Sequence, residues 1–426
     1  MKLADQLRVG WQLAAALRSQ WWSAERIRAF QNRSVVSMMR HAVRHVPYYQ
    51  RLRLDADKLC SIEDLQRFPI LTKSDLQREG LALLANGVAV AGLPSSRTSG
   101  STGEPTTTYF DPAAWLLTRY VLKMRRIVAT TGFAPGQRIL VVSESRPESL
   151  EALARAAPRA GDWLFQQKFV SIHDPVATHL EVLRSFRPTA LYAYPSYLIE
   201  LLTQAARGGE LPAIPVIYTS SEVLTAGARS RIEAGLRGHV YDVYGSTEFK
   251  EVAWQCHEGT YHLNFESVYT EPLPRDTSAE ITMTGIRNYA MPLLRYRVGD
   301  LARGVGGACG CGRASAVLAS VDGRQGDMIH LPSGRNLSPY LLTTLVEADP
   351  QLLQYRIVQT APAAFRIDRV RRQAAHNSDA QDQSLQREFA AVLGERVEVT
   401  LRDVPTLERR PGNKQCVFVR DADIPP

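Results

Sequence analysis

A hydroxyl-rich turn with two glycines lies near residue 100 of this 426-residue chain. It spans residues 97–106, and its glycines are free to adopt the positive φ angles that tight turns need. Backbone N–H groups and hydroxyls grouped in this way can surround a phosphate. The Gly-Lys-Ser/Thr ending of a Walker-type loop is missing, so a different phosphate loop is predicted. The candidate phosphate ligands are Thr98, Ser99, Gly100, Ser101, Thr102 and Gly103.

Two carboxylates end motifs further along the chain. Residues 241–248 read as a strand that enters a tight turn and ends at Glu248, which we expect to hold Mg²⁺ against phosphate oxygens. In the same motif, Tyr244 offers a ring that can stack on a nucleotide base. Asp300 closes the motif 294–300, and its carboxylate is suited to accept hydrogen bonds from ribose hydroxyls. Together with the phosphate loop, these motifs predict a nucleoside triphosphate site.

Four residues have the chemistry of a structural zinc site. Cys256 and His262 are six residues apart, and Cys309 and Cys311 follow about fifty residues later. Three thiolates and an imidazole form the closed tetrahedral set that structural zinc prefers. His257 is the competing imidazole, and unliganded reduced cysteines are the alternative. We expect Cys60 and Cys416 to be ordinary buried thiols.

The pattern of elements predicts an α/β protein. Short apolar runs at 138–143, 190–193, 216–219 and 240–243 are each followed by a turn signal and a helical stretch. This alternation favours a mostly parallel sheet with helices on both faces. Ligand sites in such sheets lie beyond the carboxyl ends of the strands, where the motifs fall. After Gly334, strands at 354–359, 364–370 and 396–401 and a helix at 383–393 predict a small α+β domain.

Composition excludes several classes of protein. The net charge of +8 and 22% charged residues are typical of a soluble globular protein with affinity for anions. No basic stripe interleaves with aromatic residues, so we expect no nucleic-acid partner. No apolar run reaches the roughly 18 residues of a membrane span. The chain shows no secretory signal and has five cysteines, which favours the cytoplasm.

The first fifty residues read as basic amphipathic helix. Such a helix can make a peripheral membrane contact, but packing against its own domain is the expected arrangement. We also expect a homodimer, for the sole reason that dimers are the commonest oligomers.

The motifs resemble those of the adenylate-forming superfamily of acyl-CoA synthetases and nonribosomal adenylation domains. Within it, the chain is most similar to the phenylacetate–coenzyme A ligase and capsule-biosynthesis (CapK-like) branch. The similarity also covers residues 45–49, 71–75 and 194–196. The resemblance implies a large N-terminal α/β adenylation domain, residues 1–325, and a small α+β C-terminal lid domain, residues 326–426.

The resemblance also implies roles for individual residues. Residues 99–103 would hold the β- and γ-phosphates of ATP, Glu248 would hold Mg²⁺ with Thr247 beside it, and Asp300 and Arg324 would bind the ribose. Lys414 would bridge the incoming carboxylate and the α-phosphate. The residues around adenine and the acid would be Ser221, Glu222, Asp242, Val243, Tyr244, Gly245 and Ser246.

Elementary chemistry supports the role of Lys414. Only seven of the 51 basic residues are lysines, and Lys414 is the only one after Lys250. Attack of a carboxylate on the α-phosphorus brings two anions together, and a compact ammonium between them stabilises the transition state more than the ground state. Arginine, with its planar fork, is better suited to bidentate pairs.

The chain departs from the family pattern at three places. Glu104 stands where many relatives have a lysine in the phosphate loop. The lid hinge falls at Gln325 and Gly326, and Asn413 separates Gly412 from Lys414.

The predicted reaction makes an acyl-adenylate from a small carboxylic acid, aryl or similar, and passes the acyl group to coenzyme A. An amine of a sugar or amino acid is the alternative acceptor. A nucleotide-binding homologue without turnover is the alternative from another class.

Overall fold

The computed structural model describes residues 3–97, 106–132, 136–143, 165–172, 174–208, 211–275, 277–304, 309–324, 328–349, 351–372, 379–407 and 417–421. Its α-helices are α1 (Leu3–Ser19), α2 (Ala24–His45), α3 (Pro47–Gln50), α4 (Lys73–Glu79), α5 (Pro112–Leu116), α6 (Leu122–Thr131), α7 (Val176–Phe186), α8 (Pro195–Gly208), α9 (Ala226–Leu236), α10 (Tyr340–Glu347) and α11 (Asp379–Leu393). No helix in these ranges combines the length and hydropathy that a membrane span requires.

Nineteen strands are described across these ranges. They are β1 (Ser95–Arg97), β2 (Thr107–Tyr109), β3 (Gln137–Ser143), β4 (Phe165–Ser171), β5 (Ala190–Ala193), β6 (Val216–Ser220), β7 (His239–Ser246), β8 (Lys250–Gln255), β9 (Tyr261–Leu263), β10 (Val268–Thr270), β11 (Ala279–Gly285), β12 (Tyr296–Gly304), β13 (Val317–Arg324), β14 (Ile329–His330), β15 (Asn336–Leu337), β16 (Leu352–Ala361), β17 (Ala364–Arg371), β18 (Glu398–Asp403) and β19 (Phe418–Arg420).

The chain folds into two compact units, of which unit 1 combines Met1–Phe133 with Val243–Val321. Its strands run in the order β10-β11-β12-β13-β9-β8-β7, and the pairs β10–β11, β11–β12, β13–β9, β8–β9 and β7–β8 are antiparallel. The apolar face of α2 packs into the same hydrophobic core as these strands, with Val35, Met39 and Ala42 buried at helical spacing.

A π-helical turn links α5 to α6 in unit 1. Pro112 occupies the first turn of α5, and Asp111 caps it by accepting a hydrogen bond from the Ala114 N–H at 2.8 Å. The turn itself covers Leu117–Val121. One extra residue per turn rotates the side chains that follow, and such π turns occur mainly at functional sites.

Unit 2 combines Ala134–Asp242 with Asp322–Pro426. Four of its strands run in the order β6-β5-β3-β4, and the pairs β5–β6, β3–β5 and β3–β4 are parallel. Strand β6 is buried along its whole length, as expected for a parallel strand covered on both faces. A second sheet, in the order β18-β17-β16-β19, packs with α10 and α11 around a separate core.

The strands predicted at 138–143, 190–193, 216–219 and 240–243 are confirmed as β3, β5, β6 and β7. The strands predicted after Gly334 are confirmed as β16, β17 and β18, and the predicted helices as α1, α2 and α11. The expectation of a mostly parallel sheet is wrong for unit 1, whose strands pair antiparallel. Strands β8 and β9 are buried almost throughout, so they lack the alternation that marks an antiparallel strand in a sequence.

Candidate active site

Glu248 lies in the turn between β7 and β8 and is buried. Its Oε1 accepts a hydrogen bond from the Tyr296 hydroxyl at 2.9 Å. Gly245 is required just before this turn, since a Cβ there would lie 2.4 Å from the carbonyl oxygen of Lys250. Thr247 is half-buried in the turn, and Ser246 Oγ accepts from the Phe249 N–H at 3.1 Å. One carboxylate is therefore held in a fixed orientation, as a metal ligand requires.

A second tyrosine–carboxylate contact joins β7 to β12. The Tyr244 hydroxyl donates to Asp300 Oδ2 at 2.9 Å, and both side chains are buried. This hydrogen bond uses one carboxylate oxygen and orients the other. Tyr244 is predicted to stack on a base and Asp300 to bind a ribose. The hydrogen bond gives Tyr244 a second role, because its phenol also positions the Asp300 carboxylate.

Lys250 begins β8, two residues after Glu248, and its φ of +64° is rare for a residue with a side chain. Its ammonium donates to Ser96 Oγ and lies 5.2 Å from the ring centroids of both Phe110 and Trp115. Burial, followed by the charge of Arg119, lowers the pKa of Lys250 from 10.5 to about 7, although nearby Glu248 opposes the shift.

Lys123 of α6 belongs to the same group of cations. Burial lowers its pKa to about 7, and the charges of Arg119, Arg126 and Lys250 add to the effect while Glu251 opposes it. Arg126 pairs with Glu251 through Nε at 3.2 Å, and both side chains are buried. Lys123, Arg126 and Lys250 thus lie near Glu248 and Glu251 in unit 1, and repulsion among the cations adds to the effect of burial on the two lysines.

Several predicted residues lie in unit 2. Glu222 accepts hydrogen bonds from the backbone N–H and the hydroxyl of Ser196, each at 2.9 Å, at the start of α8. Asp242, buried in β7, accepts from Thr219 Oγ1 at 2.5 Å. Ser221 has a φ of +71° at the end of β6. Arg324 is exposed at the end of β13.

The predicted phosphate ligands 98–103 and Lys414 lie outside the described residues, as do Glu104, Gln325, Gly326 and Cys416. Their roles remain predictions. The proposed boundary between residues 325 and 326 likewise remains a prediction, and the structure groups residues 322–426 with 134–242.

The four predicted zinc ligands come together in unit 1. Their ligand atoms all lie within 4.8 Å of one another, with Cys256 Sγ 3.6 Å from Cys309 Sγ and Cys311 Sγ 3.2 Å from His262 Nε2. The other ring nitrogen of His262 meets Ser315 Oγ at 2.9 Å. His257 is exposed and pairs with Glu258, so His262 is the imidazole of the cluster.

Burial and the neighbouring Arg313 shift the pKa values of the residues in this cluster. Burial and then the charges of Arg313 and Arg125 lower the pKa of His262 to about 4, so its imidazole is neutral at pH 7. Burial raises the pKa of the Cys256 thiol to about 12. At Cys311 burial also acts upward, but hydrogen bonds from Arg313 outweigh it and lower the pKa. The expectation of a buried thiol at Cys60 is wrong, because Cys60 is exposed.

Sequence reasoning missed two residues of this site, Lys250 and Tyr296. Lys250 carried a signal, since it is one of only seven lysines and follows Glu248 by two residues. Tyr296 lies within the motif 294–300 but carried no signal of its own. Its contact with Glu248 depends on the pairing of strands far apart in the sequence.

Comparison with solved structures defines the class of protein. A 2-hydroxyisobutyryl-CoA ligase, solved after adenylation with an acyl-AMP, superimposes with a TM-score of 0.77 at 21% identity, over 93% of this chain and 90% of the other. The chain therefore has the fold of the adenylate-forming acyl-CoA ligases.

Sequence comparison points to a particular group. The phenylacetate–coenzyme A ligase of Thermus thermophilus is 26% identical over 365 residues, 78% of each chain, and that of Pseudomonas putida is 24% identical over 429 residues, 92% of this chain and 94% of the other. No model of a protein family matches the chain. The predicted resemblance to the adenylate-forming superfamily is confirmed, in fold by the solved ligase structure and in sequence by the similarity to phenylacetate–coenzyme A ligases.

Proposed function

We propose that this enzyme activates a carboxylic acid with ATP and transfers the acyl group to coenzyme A. The observation that carries the proposal is the pair of buried carboxylates, Glu248 and Asp300, each held by a tyrosine hydroxyl of the same unit. Such carboxylates are costly to bury unless they have partners, and fixed oxygens of this kind suit a metal–nucleotide ligand. The fold and the homologous ligases support the same reaction.

In the first half-reaction, a carboxylate oxygen of the acid attacks the α-phosphorus of ATP, and pyrophosphate leaves as the acyl-adenylate forms. Glu248 would hold the Mg²⁺ that accompanies ATP, because the Tyr296 hydroxyl fixes its carboxylate in one orientation. The ion would neutralise charge on the phosphate oxygens. We expect residues 98–103 to bind the phosphates and Lys414 to bridge the reacting anions.

In the second half-reaction, the coenzyme A thiol attacks the acyl carbonyl, and AMP leaves. Asp300 retains the ribose in both steps, because its carboxylate, which the Tyr244 hydroxyl orients, can accept hydrogen bonds from ribose hydroxyls. Arg324 contributes to the ribose, and the adenine is bordered by Ser221, Glu222 and Asp242. The acid is of the aryl class, by similarity to relatives that are phenylacetate–coenzyme A ligases.

Lys250 supplies positive charge for the triphosphate in place of the loop lysine that Glu104 replaces. Its ammonium contacts Ser96, next to the first residue of the phosphate loop, and it faces Glu248. Phe110 and Trp115 hold the side chain in place through their ring faces. An arriving polyphosphate stabilises the protonated form, so a lysine that is half neutral near pH 7 becomes fully charged.

The cysteine cluster binds structural zinc. Tetrahedral Zn²⁺ with bonds of about 2.3 Å to sulfur separates two sulfur ligands by about 3.8 Å, close to the 3.6 Å between Cys256 and Cys309. Neutral His262 presents Nε2 to the thiols, while a hydrogen bond between its Nδ1 and Ser315 Oγ orients the ring, as an outer partner does for a metal-bound imidazole. Four protein ligands leave no open position, so the metal stabilises the fold.

Replacing Lys414 with alanine tests the first half-reaction. We expect ATP–pyrophosphate exchange in the presence of phenylacetate to be lost, with at least about a hundredfold decrease, while ATP still binds in calorimetry. Lys58→Ala is the matched control, because Lys58 is an exposed lysine in a surface ion pair. Exchange in Lys414→Ala equal to that of the control would refute the bridging role.

A further inference from the structure

A cationic groove runs along α2 and shares no residue with the candidate active site. It encloses about 540 Å³ and is lined by one face of α2 together with Cys60 and Tyr289. This volume falls within the range of small-molecule sites, which is about 300–1,000 Å³. Its walls are polar rather than apolar, so an ordinary hydrophobic ligand does not fit.

Three arginines of α2 point into the groove. Arg33, Arg40 and Arg44 line it, and at 100° per residue they lie within about 40° of one another around the helix axis. Arg40 and Arg44 are one turn apart, about 6 Å, and Arg33 is about 16 Å from Arg44 along the axis. The groove therefore has one close pair of guanidinium groups and a third group at its other end.

The other contacts of these arginines leave donors for a ligand. Arg40 donates from Nε to the Leu59 carbonyl at 2.9 Å, which fixes the guanidinium while leaving its outer nitrogens for a second partner. Arg44 pairs with Asp57 at 2.5 Å, but both side chains are at least half exposed, and such surface pairs exchange at little cost. Arg33 is exposed, and it forms no ion pair with another of the described residues.

The remaining walls are neutral or positive. No carboxylate lines the groove within the described residues. His41 is held by the Tyr289 carbonyl at 2.9 Å, and its ring lies 4.9 Å from that of His45. Ser37 Oγ meets the Tyr289 hydroxyl at 3.3 Å. A concave surface with three guanidinium groups, two imidazoles and two hydroxyls has the donors that phosphate groups accept from.

We propose that this groove binds a soluble small molecule that carries at least two phosphate groups. One phosphate lies between Arg40 and Arg44, where bidentate hydrogen bonds are within reach of both, and the other lies at Arg33. The site is separate from the ATP site of the proposed ligase reaction and does not depend on it. Because the groove is concave, a small ligand can enter it, whereas a flat membrane surface would contact only its rim.

Cys60 provides a readout that belongs to this site alone. It lines the groove and is exposed, so a bound anion blocks its access and disfavours its thiolate. The full-length protein is treated with N-ethylmaleimide, a neutral reagent, and the modification of Cys60 is followed by peptide mass spectrometry. The probes are tripolyphosphate, inorganic phosphate, and vesicles of phosphatidylglycerol or phosphatidylcholine. Cys60 lines the groove and is not a residue of the proposed ATP site. The proposed function is measured separately, by pyrophosphate exchange, so its failure is distinguishable from failure here.

We expect tripolyphosphate to protect Cys60 in a saturable way. The double variant R33A/R44A should raise the half-protecting concentration at least about tenfold, since each lost charge-assisted hydrogen bond weakens binding. Arg28→Ala is the control, because Arg28 is an exposed arginine of α2 on the opposite side of the helix. Equal alkylation with and without tripolyphosphate, or unchanged protection in the double variant, would overturn the site. Protection by phosphatidylglycerol vesicles without protection by tripolyphosphate would overturn the claim that the ligand is a soluble molecule.

Discussion

Two tyrosine hydroxyls orient the two carboxylates on which the proposed reaction depends. Tyr296 donates to Glu248 and Tyr244 to Asp300, in each case at 2.9 Å and out of solvent. A hydrogen bond to an ionised carboxylate contributes more than one between neutral groups, and it also selects one rotamer of the acid. The phenols are therefore positioning residues for the Mg²⁺ and ribose ligands.

The variant Tyr296→Phe tests this positioning role. Loss of a hydrogen bond to a charged group costs about 1.5–3 kcal/mol, so we expect kcat/KM for ATP in the pyrophosphate-exchange assay to fall at least about tenfold. The variant Tyr269→Phe serves as control, because Tyr269 packs against the same core and lies outside the site. If the two variants exchange pyrophosphate at the same rate, Tyr296 has no role in positioning Glu248.

If Lys250 contacts the triphosphate as proposed, the binding of ATP should be sensitive to pH. Its pKa of about 7 means that at pH 8 it is mostly neutral in the free enzyme, and ATP should restore the proton. We expect uptake of up to about one proton per ATP at pH 8, measured by calorimetry in buffers of different ionisation enthalpy. Lys250→Met should abolish most of this uptake. Uptake that survives in Lys250→Met and disappears in Lys123→Met would assign it to Lys123 instead.

The same shift affects stability with a definite sign. Lys250 titrates near 7 in the folded protein and near 10.5 when unfolded, so between these values the unfolded chain holds a proton that the folded chain has released. The free energy of unfolding contributed by this group therefore rises with pH across that window. Below about pH 7 the cost of the buried charge is fully present.

At the scale of elements, the sequence predicted strands where apolar runs were bounded by turns and followed by helices. Strands β3, β5, β6 and β7 met that pattern and were found. The antiparallel strands of unit 1 were missed, because many are short and buried on both faces. In β9, for example, all three residues are buried. The contacts of Glu248 and Asp300 depend on those strands. Tyr296 was therefore missed, and Tyr244 was predicted only as a ring that stacks on a base and not as the partner of Asp300.

The loop that contains Cys309 and Cys311 illustrates the opposite case. Residue chemistry alone predicted four zinc ligands, and the strand pair β9–β13 brings the two halves of the set together. The choice between His257 and His262 needed the structure, because both follow Cys256 closely. Only His262 lies in a strand that faces the cysteines.

Measurement of the zinc content tests whether this cluster binds a metal ion that stabilises the fold. We expect purified protein to contain about one zinc per chain, and Cys309→Ser to lower both zinc content and Tm, because metal binding is coupled to folding. Cys60→Ser is the control, since that thiol is exposed and lies outside the cluster. Metal-free protein with an unchanged Tm in Cys309→Ser would exclude a structural zinc.

At the scale of the whole molecule, the order of motifs along the chain was enough to predict the adenylate-forming fold. The identity of the acid was not readable, because the pocket that selects it is built from side chains whose positions no local motif specifies. Tyr197 illustrates this, because its position in the fold could not be read from the sequence. Tyr197 is buried, and its hydroxyl meets His179 Nδ1 at 2.8 Å, so it belongs to a core rather than to an open pocket.

A thioester-formation screen tests the central claim most directly. Purified enzyme, ATP and Mg²⁺ are mixed with aryl, aliphatic, amino and sugar acids, each with and without coenzyme A, and pyrophosphate release and acyl-CoA are measured. We predict turnover with an aryl acid such as phenylacetate that rises when coenzyme A is added and yields the thioester. Pyrophosphate release that coenzyme A leaves unchanged, with an amide formed when an amine is supplied, would contradict the assignment of the acceptor. Absence of release across the panel, with ATP still bound, would contradict the account of this chain as a ligase.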